Sequence, residues 1–501
     1  MGFLTVLSLL PPHFSALVYV LISIALAVGG MRFFGFSVPL ARRVVVSWVA
    51  VNFVAFFSLS MWSLYVLIAL VCWVGAPRAP EDRVIYFIGI LPALPKFEFV
   101  IPGFAGIEIL FSVDYARVLA MVVLLPMAAR TLTMTSLVPR SRTAGSIDFF
   151  VFSYLLWTVA LAFDRNGLTH GLRMLFQQMV FLGLPYFVVS RYLTEGGRLK
   201  EALRTLLYSA LIVASIGIFE QWTNWWFYRN IPDRLGLELE WFSLAHYERD
   251  GFVRIRSTIG GGLGLLMAIS IGILLVLRQE IRSRLFFFCA LTSLALCLYF
   301  TGARGSWLAA ALAIGLLVTR WFIKSPRHFL AACGLAAILL PVGQRVVEEF
   351  DDEYGTFSYR QQLIESAIPM ILDRPVAGYN GMAEVEATGR LEHLRQGEGI
   401  IDLVNTYLYV AMLEGMLGLA LFLGSLLLAL FAMLRATARQ IIVERDTVPE
   451  QSLMLSAIII SMAFLMGTTS MTGYFLDYYM LMLGFSSALV APVAPAHSTF
   501  Q

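Results

Sequence analysis

Long apolar stretches separated by short polar connections recur along most of the chain. From Ile147 onward they run over approximately 147–163, 172–191, 203–221, 258–277, 285–301, 304–321, 328–344, 403–433, 452–467 and 474–493. A helix needs about 20 mostly apolar residues to cross a bilayer, so each stretch is predicted to span. The run at 403–433 exceeds one crossing and has to tilt or project beyond the bilayer. Toward the amino terminus the pattern predicts a helix over about 13–31 and another over about 115–130, while the run at 44–75 fits one long or two short spans. Between Pro77 and Gly106, a stretch rich in Pro and Gly holds a short apolar piece at 84–92. That piece is too short to span and is expected in the interface or as a re-entrant segment. The whole pattern gives about 12–14 spans.

Composition turns this pattern into a fold class. Of 501 residues, 59% are hydrophobic and 14% charged, against about 25% charged in a soluble domain. A soluble enzyme, a secreted disulfide scaffold and a disordered chain are excluded. The expected fold is all-α: a polytopic transmembrane helical bundle forming a single integral membrane domain over 1–501. Cys72, Cys289, Cys297 and Cys333 lie in apolar runs and read as small hydrophobes rather than disulfide partners. Before Arg32 there is no Lys or Arg, hence no basic region of a cleavable signal, and the first apolar run is expected to stay as a membrane helix.

The net charge of +3 gives no reason to expect nucleic acid as a partner. Of 36 basic residues only Lys96, Lys200 and Lys324 are lysine, which leaves 33 arginines. Arginine suits phosphate and carboxylate ligands; a GC-rich genome is the competing explanation. Basic residues also orient the chain. The connections 130–146, 191–204, 278–284, 320–327 and 435–450 each hold three or four Lys or Arg and fall on alternate sides, as cytoplasmic loops must. The opposite side then receives two long connections, 222–257 and 345–402, with short ones near 164–171, 302–303 and 468–473. Loop 345–402 is the only one large enough to fold partly by itself, and its segment Ser358 to Leu372 has the spacing of an amphipathic helix ended by Asp373 and Pro375. That helix is expected on the membrane surface.

Ionisable groups at membrane depth are costly and few here. Glu414 lies about ten residues into its predicted span, either as an interior hydrogen-bonding post or as a packing carboxylate paired with an Arg or Ser; Asp477 lies in the last span. So few groups argue against ion-coupled transport. Arginines on the outward side oppose the orientation bias. Arg254 and Arg256 lead into Gly260-Gly261-Gly262, Arg304 stands at a helix mouth, and Arg360 and Arg374 flank the amphipathic segment. Two explanations stand: an anionic ligand such as a lipid diphosphate held by charge-assisted bonds, or ion pairs with nearby acids such as Glu248 and Asp250. The aromatics Trp222, Trp225, Trp226, Phe227, Tyr228, Trp241, Phe242 and Tyr247 fit an interfacial belt, or stacking on sugars. No Asp-x-Asp occurs, Glu349-x-Asp351 reads as a solvated face, the six histidines lack metal-ligand spacing, and no nucleotide-phosphate loop is present. Neither a metal nor a cofactor is expected.

Four stretches resemble the bacterial O-antigen ligase and O-antigen polymerase superfamily over approximately residues 105–435. Arg254 to Gly260 resembles the family's Arg-containing lead into a central helix, and Thr301 to Leu308 its Thr-x-Ser-Arg-Gly-x-x-Leu helix start. Arg360 to Gly378, containing Ile371-Leu372-Asp373-Arg374-Pro375, resembles the segment of the large external loop that ends in a Pro-x-x-Gly turn. Val404-Asn405-Thr406-Tyr407-Leu408, then Glu414-Gly415 and Gly418, resembles His-Asn-x-x-Leu…Glu-x-Gly-x-x-Gly. The chain departs where the family often has His before Asn: Val404 stands there, with Asp402 two positions earlier.

The resemblance implies a GT-C-like membrane enzyme of the bacterial inner membrane that carries out metal-independent glycosyl transfer at the periplasmic face. The donor would be a glycan on undecaprenyl diphosphate and the acceptor a sugar hydroxyl on another lipid-linked repeat, with membrane lipid around it and a chain-length regulator and a flippase as partners. Arg254, Arg256 and Arg304, with Arg360, would hold the diphosphate; Asp402 is the first candidate base, and His393 and Asn405 are further base or acceptor contacts. The missing histidine favours a polymerase of exopolysaccharide or O-antigen repeats over a ligase. A polysaccharide or lipid transporter, or a purely structural subunit, are the readings from other classes.

Overall fold

The computed structural model describes residues 10–103, 108–133, 140–237, 248–249, 252–318, 356–395, 401–443, 450–470 and 473–491. The expected span at 328–344, Cys333, Trp241, Phe242, Tyr247, Asp250 and Glu349-x-Asp351 lie outside the described residues. Almost everything described is helical. Helical segments long and apolar enough to cross a membrane are Pro12–Phe33, Tyr115–Thr133, Arg142–Tyr192, Gly196–Thr223, Gly260–Gln279 and Thr406–Arg439, and shorter apolar helices accompany them. The fold is that of an all-α polytopic membrane protein.

The chain forms two compact units. One comprises Met1–Pro139, Val180–Trp307 and Thr472–Gln501, the other Arg140–Met179 and Leu308–Met471. In the first unit, α1 (Pro12–Phe33) is followed by α2 (Ala41–Phe57) and α3 (Met61–Gly75). The apolar run at 44–75 is thus two helices, because Ser60 caps the amino end of α3 in a reciprocal hydrogen bond with Ser63. Next comes α4 (Pro80–Ile90), with Pro80 in its first turn and Glu81 and Asp82 complementing the helix dipole. The short apolar piece at 84–92 packs inside protein: every residue from Val84 to Leu94 is buried. A helix apolar on all faces has to be enclosed. Gly89 permits this by admitting Val44 of α2 and Thr205 closely, while its carbonyl accepts from Trp48 and Ser209 at 2.9 and 2.6 Å. A hairpin of β1 (Phe99–Pro102) and β2 (Ile109–Val113) leads to α5 (Tyr115–Thr133).

The second unit contains α6 (Arg142–Gln177), broken at Gly167 with φ 77°. This break falls in the connection expected at 164–171. Its continuation, α7 (Leu184–Tyr192), returns to the first unit, where α8 (Gly196–Thr223) follows. Beyond α8, Trp226, Phe227 and Tyr228 are buried, and Phe227 stacks on Tyr19 at 5.3 Å. These three aromatics are core packing, neither a belt nor a sugar platform, because each ring is enclosed by its own unit; Trp222 remains exposed. The short α9 (Asn230–Leu235) and the strands β3 (Glu248–Arg249) and β4 (Phe252–Val253) precede α10 (Leu263–Val276), α11 (Arg284–Phe300) and α12 (Arg304–Val318).

The amphipathic segment is α13 (Thr356–Asp373). Leu363, Ala367, Met370 and Ile371 bury one face in a small core with Tyr379, Val385, Leu391 and Leu394, whereas Ile364, Ile368 and Leu372 stay 41%, 48% and 70% exposed. After α14 (Gly381–Ala387) come α15 (Thr406–Val443), broken at Gly415, and α16 (Glu450–Met466). The last helix, α17 (Phe475–Leu489), belongs to the first unit and packs on α7.

Candidate functional site

In the first unit, the arginine segment before α10 is tied down along its length. The Ile255 amide donates to the Phe300 carbonyl at 3.3 Å. Arg254 Nε donates to the Thr301 carbonyl at 3.0 Å, so its guanidinium lies against the turn from which Arg304 starts α12. From the other side, Glu220 in the last turn of α8 accepts the amide N–H of Ser257 at 2.7 Å and that of Arg256 at 3.4 Å through Oε2. Ser257 holds a left-handed φ of 49°, stabilised by its hydroxyl donating to Val213 O at 3.1 Å and by Trp226 Nε1 donating to its carbonyl at 3.3 Å. The Arg256 guanidinium lies 5.8 Å from the Trp226 ring centre. Arg254, Arg256 and Arg304 are all partly buried.

Glu220 is only 2% exposed, and hydropathy hides it at the end of an apolar run. The signal available was an acid in the last turn of a span followed by a loop carrying arginines. Asp477, in the first turn of α17, pairs with Lys96 at 2.5 Å, and Lys96 also sits 3.8 Å from the centre of the Phe181 ring.

In the second unit, the start of α13, the lead into α15 and the turn after α16 meet. Arg360 Nη2 donates to Thr468 O at 3.4 Å, and Ser470 Oγ donates to Asp402 Oδ1 at 2.7 Å. Tyr359 Oη donates to Asp402 O at 2.9 Å, and Thr406 Oγ1 donates to Thr469 O at 2.8 Å. Arg360 and Asp402, distant in the chain, therefore share one turn. Asn405 is committed locally: its Oδ1 accepts the amide N–H of Tyr407 at 2.9 Å and of Leu408 at 3.2 Å, capping α15. His393 is exposed, with Nε2 3.2 Å from Ser366 Oγ on α13.

Glu414 stands beside the break of α15 rather than within a continuous helix. Tyr154 Oη donates to its Oε1 at 3.3 Å. At Gly415, φ is 74° and a Cβ would meet Val376 O at 2.0 Å, so only glycine fits there. The break strips three successive carbonyls of their helical partners, and each finds a replacement. Met412 O accepts from the Tyr379 amide at 2.8 Å, Leu413 O from Arg165 Nη1 at 3.0 Å, and Glu414 O from Trp157 Nε1 at 2.9 Å. Conversely, the Met416 amide donates to Pro375 O at 2.7 Å. Arg165 also donates to Tyr379 O at 2.7 Å and to Ala377 O. Both turn motifs, Pro375 to Gly378 and Glu414 to Gly418, thus form one joint. Nearby, the Asn380 amide and Arg374 hold the Glu384 carboxylate below its ordinary pKa range. Arg165 escaped the sequence reading because an arginine in a short outward turn looks like any loop charge.

Among the described residues, no group of His, Cys, Asp and Glu is arranged to hold a metal ion. A guanidinium group set around one turn can bind an anion such as a diphosphate, and a carboxylate oriented by a hydroxyl can accept a proton.

Residues 285–423 match the O-antigen ligase family. The matched stretch runs from α11 into the carboxyl half of α15. It contains Arg304, Arg360, His393, Asp402, Asn405 and Glu414 but neither Arg254 nor Arg256. The match supports the resemblance to the O-antigen ligase and polymerase superfamily, and with it glycosyl transfer of that general type; it does not separate the two branches. No curated protein matches the chain.

Proposed function

We propose that this protein transfers a glycan from undecaprenyl diphosphate to a sugar hydroxyl on a second lipid-linked repeat, polymerising exopolysaccharide or O-antigen units at the periplasmic face of the inner membrane. The observation that carries this reading is Arg254 held by the Thr301 carbonyl against the turn from which Arg304 starts α12, with Arg256 two residues further along the same segment. As the glycosidic carbon–oxygen bond to the diphosphate breaks, negative charge grows on the leaving group. Guanidinium groups already oriented by the fold stabilise that charge without reorganising, and losing one such donor commonly costs about 10²–10³ in rate. Asp402 takes the proton of the acceptor hydroxyl as the new carbon–oxygen bond forms. Ser470 orients its carboxylate through Oδ1, and Arg360 is assigned to the diphosphate as a fourth cation.

The test is transfer in proteoliposomes with a lipid-linked repeat as both donor and acceptor. Wild type is expected to give ladders of lipid-linked polymer, and Arg254→Ala or Arg304→Ala should abolish them at unchanged protein level. Full polymer in both variants overturns the diphosphate assignment. Transfer only to a different acceptor would make the protein a ligase.

A further inference from the structure

We infer that Arg165 is a positioning residue for this transfer: it clamps the Pro375–Gly378 turn into the break of α15 and so sets the placement of Arg360 and Asp402. The inference rests on the proposed glycosyl transfer and adds to it a residue that touches neither donor nor acceptor. Its guanidinium is engaged with protein carbonyls. Nη1 donates to Tyr379 O at 2.7 Å and to Leu413 O at 3.0 Å, and Nη2 donates to Ala377 O. Two of these acceptors belong to the outer segment and the third to the amino half of α15, so one rigid fork holds two pieces of chain together. Lysine, a single point donor, cannot reproduce that geometry.

The clamp sits where two levers start. One is α13, which ends at Asp373 immediately before the clamped turn and carries Arg360 near its other end. The second is the amino half of α15, which runs from the break back to Thr406 beside Asp402. Both levers meet again at the 468–470 turn, through Arg360 on Thr468 and Ser470 on Asp402. Arg165 itself lies just before the break of α6 at Gly167, where Asn166 and Asn380 exchange side-chain amide bonds at 2.9 and 3.0 Å. Glycine is required on both faces of the joint, since a Cβ on Gly378 would lie 2.4 Å from Met412 O. A joint this tightly built transmits a small displacement to the far ends of both levers.

Full-length protein in proteoliposomes tests this. Arg165→Ala is expected to lower kcat on the order of 10²-fold, because misplacing a reacting group by about 1 Å costs that much. The donor KM should move far less than kcat, because Arg254, Arg256 and Arg304 lie outside the clamped segments and only Arg360 among the proposed donor contacts depends on the clamp. Arg165→Lys should recover only a minor part of kcat. Wild-type kcat in either variant, or a loss confined to KM, overturns the inference. Should Arg165→Ala fail to accumulate, hydrogen exchange on the wild type decides: the amides of Tyr379 and Met416 should be protected, and exchange at the rate of an open turn overturns the clamp. If the wild type transfers no glycan, the proposed function fails instead; an active wild type with an equally active Arg165→Ala refutes the clamp alone.

Discussion

Arg165 and Arg254 both lie beside helix ends, yet their surroundings give them different work. Arg165 has its fork directed at three main-chain carbonyls, while Arg254 donates through Nε to the Thr301 carbonyl at the head of the helix that begins with Arg304. The same contrast separates the candidate acids. Glu220 accepts two main-chain N–H groups and serves to fix the Arg256–Ser257 segment. Asp402 instead accepts a hydroxyl bond from Ser470 at its Oδ1. Asp402→Asn keeps the shape and the Ser470 contact but cannot take up a proton. We expect transfer to fall about 10²-fold or more with unchanged donor affinity, measured by initial rates and by donor binding. Full activity in Asp402→Asn would move the base elsewhere. Glu414, which looked from the sequence like a group at membrane depth, has its surroundings set by a feature that hydropathy does not carry: the break at the next residue.

At the scale of elements, the broken helices separate what hydropathy reports from what it does not. The turn at Gly167 was legible, because polar residues interrupt the apolar run there. The break at Gly415 was not, because the apolar run continues through it and a glycine in a span is as readily explained by close helix packing. Its necessity follows from the Pro375–Gly378 turn, whose carbonyl at Val376 occupies the place of a side chain. Gly415→Ala therefore combines a forbidden φ with a steric clash. It should destabilise the protein by at least about 2 kcal/mol, seen as a lowered Tm in detergent with fluorescence or calorimetry. An unchanged Tm would show that the two motifs do not lock as described. The helix expected at 358–372 was read correctly as amphipathic, but its apolar residues divide between a buried and an exposed face. Spacing alone could not tell which neighbours would cover it.

For the molecule as a whole, membrane class was written in the composition, since so many apolar side chains require lipid or protein on every face of many helices. The core position of α4 was not, because a short apolar run reads the same whether protein or interface surrounds it. The functional reading likewise depends less on any one motif than on distant segments brought to common turns, Arg254 to Thr301 and Arg360 to Thr468. That reading requires Arg254 and Arg304, beside the head of α12, to grip a lipid diphosphate. The most direct measurement is binding of undecaprenyl diphosphate and undecaprenyl monophosphate to purified wild type, Arg254→Ala and Arg304→Ala in nanodiscs. Wild type should prefer the diphosphate, and each variant should lose about tenfold or more of that affinity while its Tm stays the same. Equal affinity across the three proteins, or no preference between the two lipids, would refute that grip.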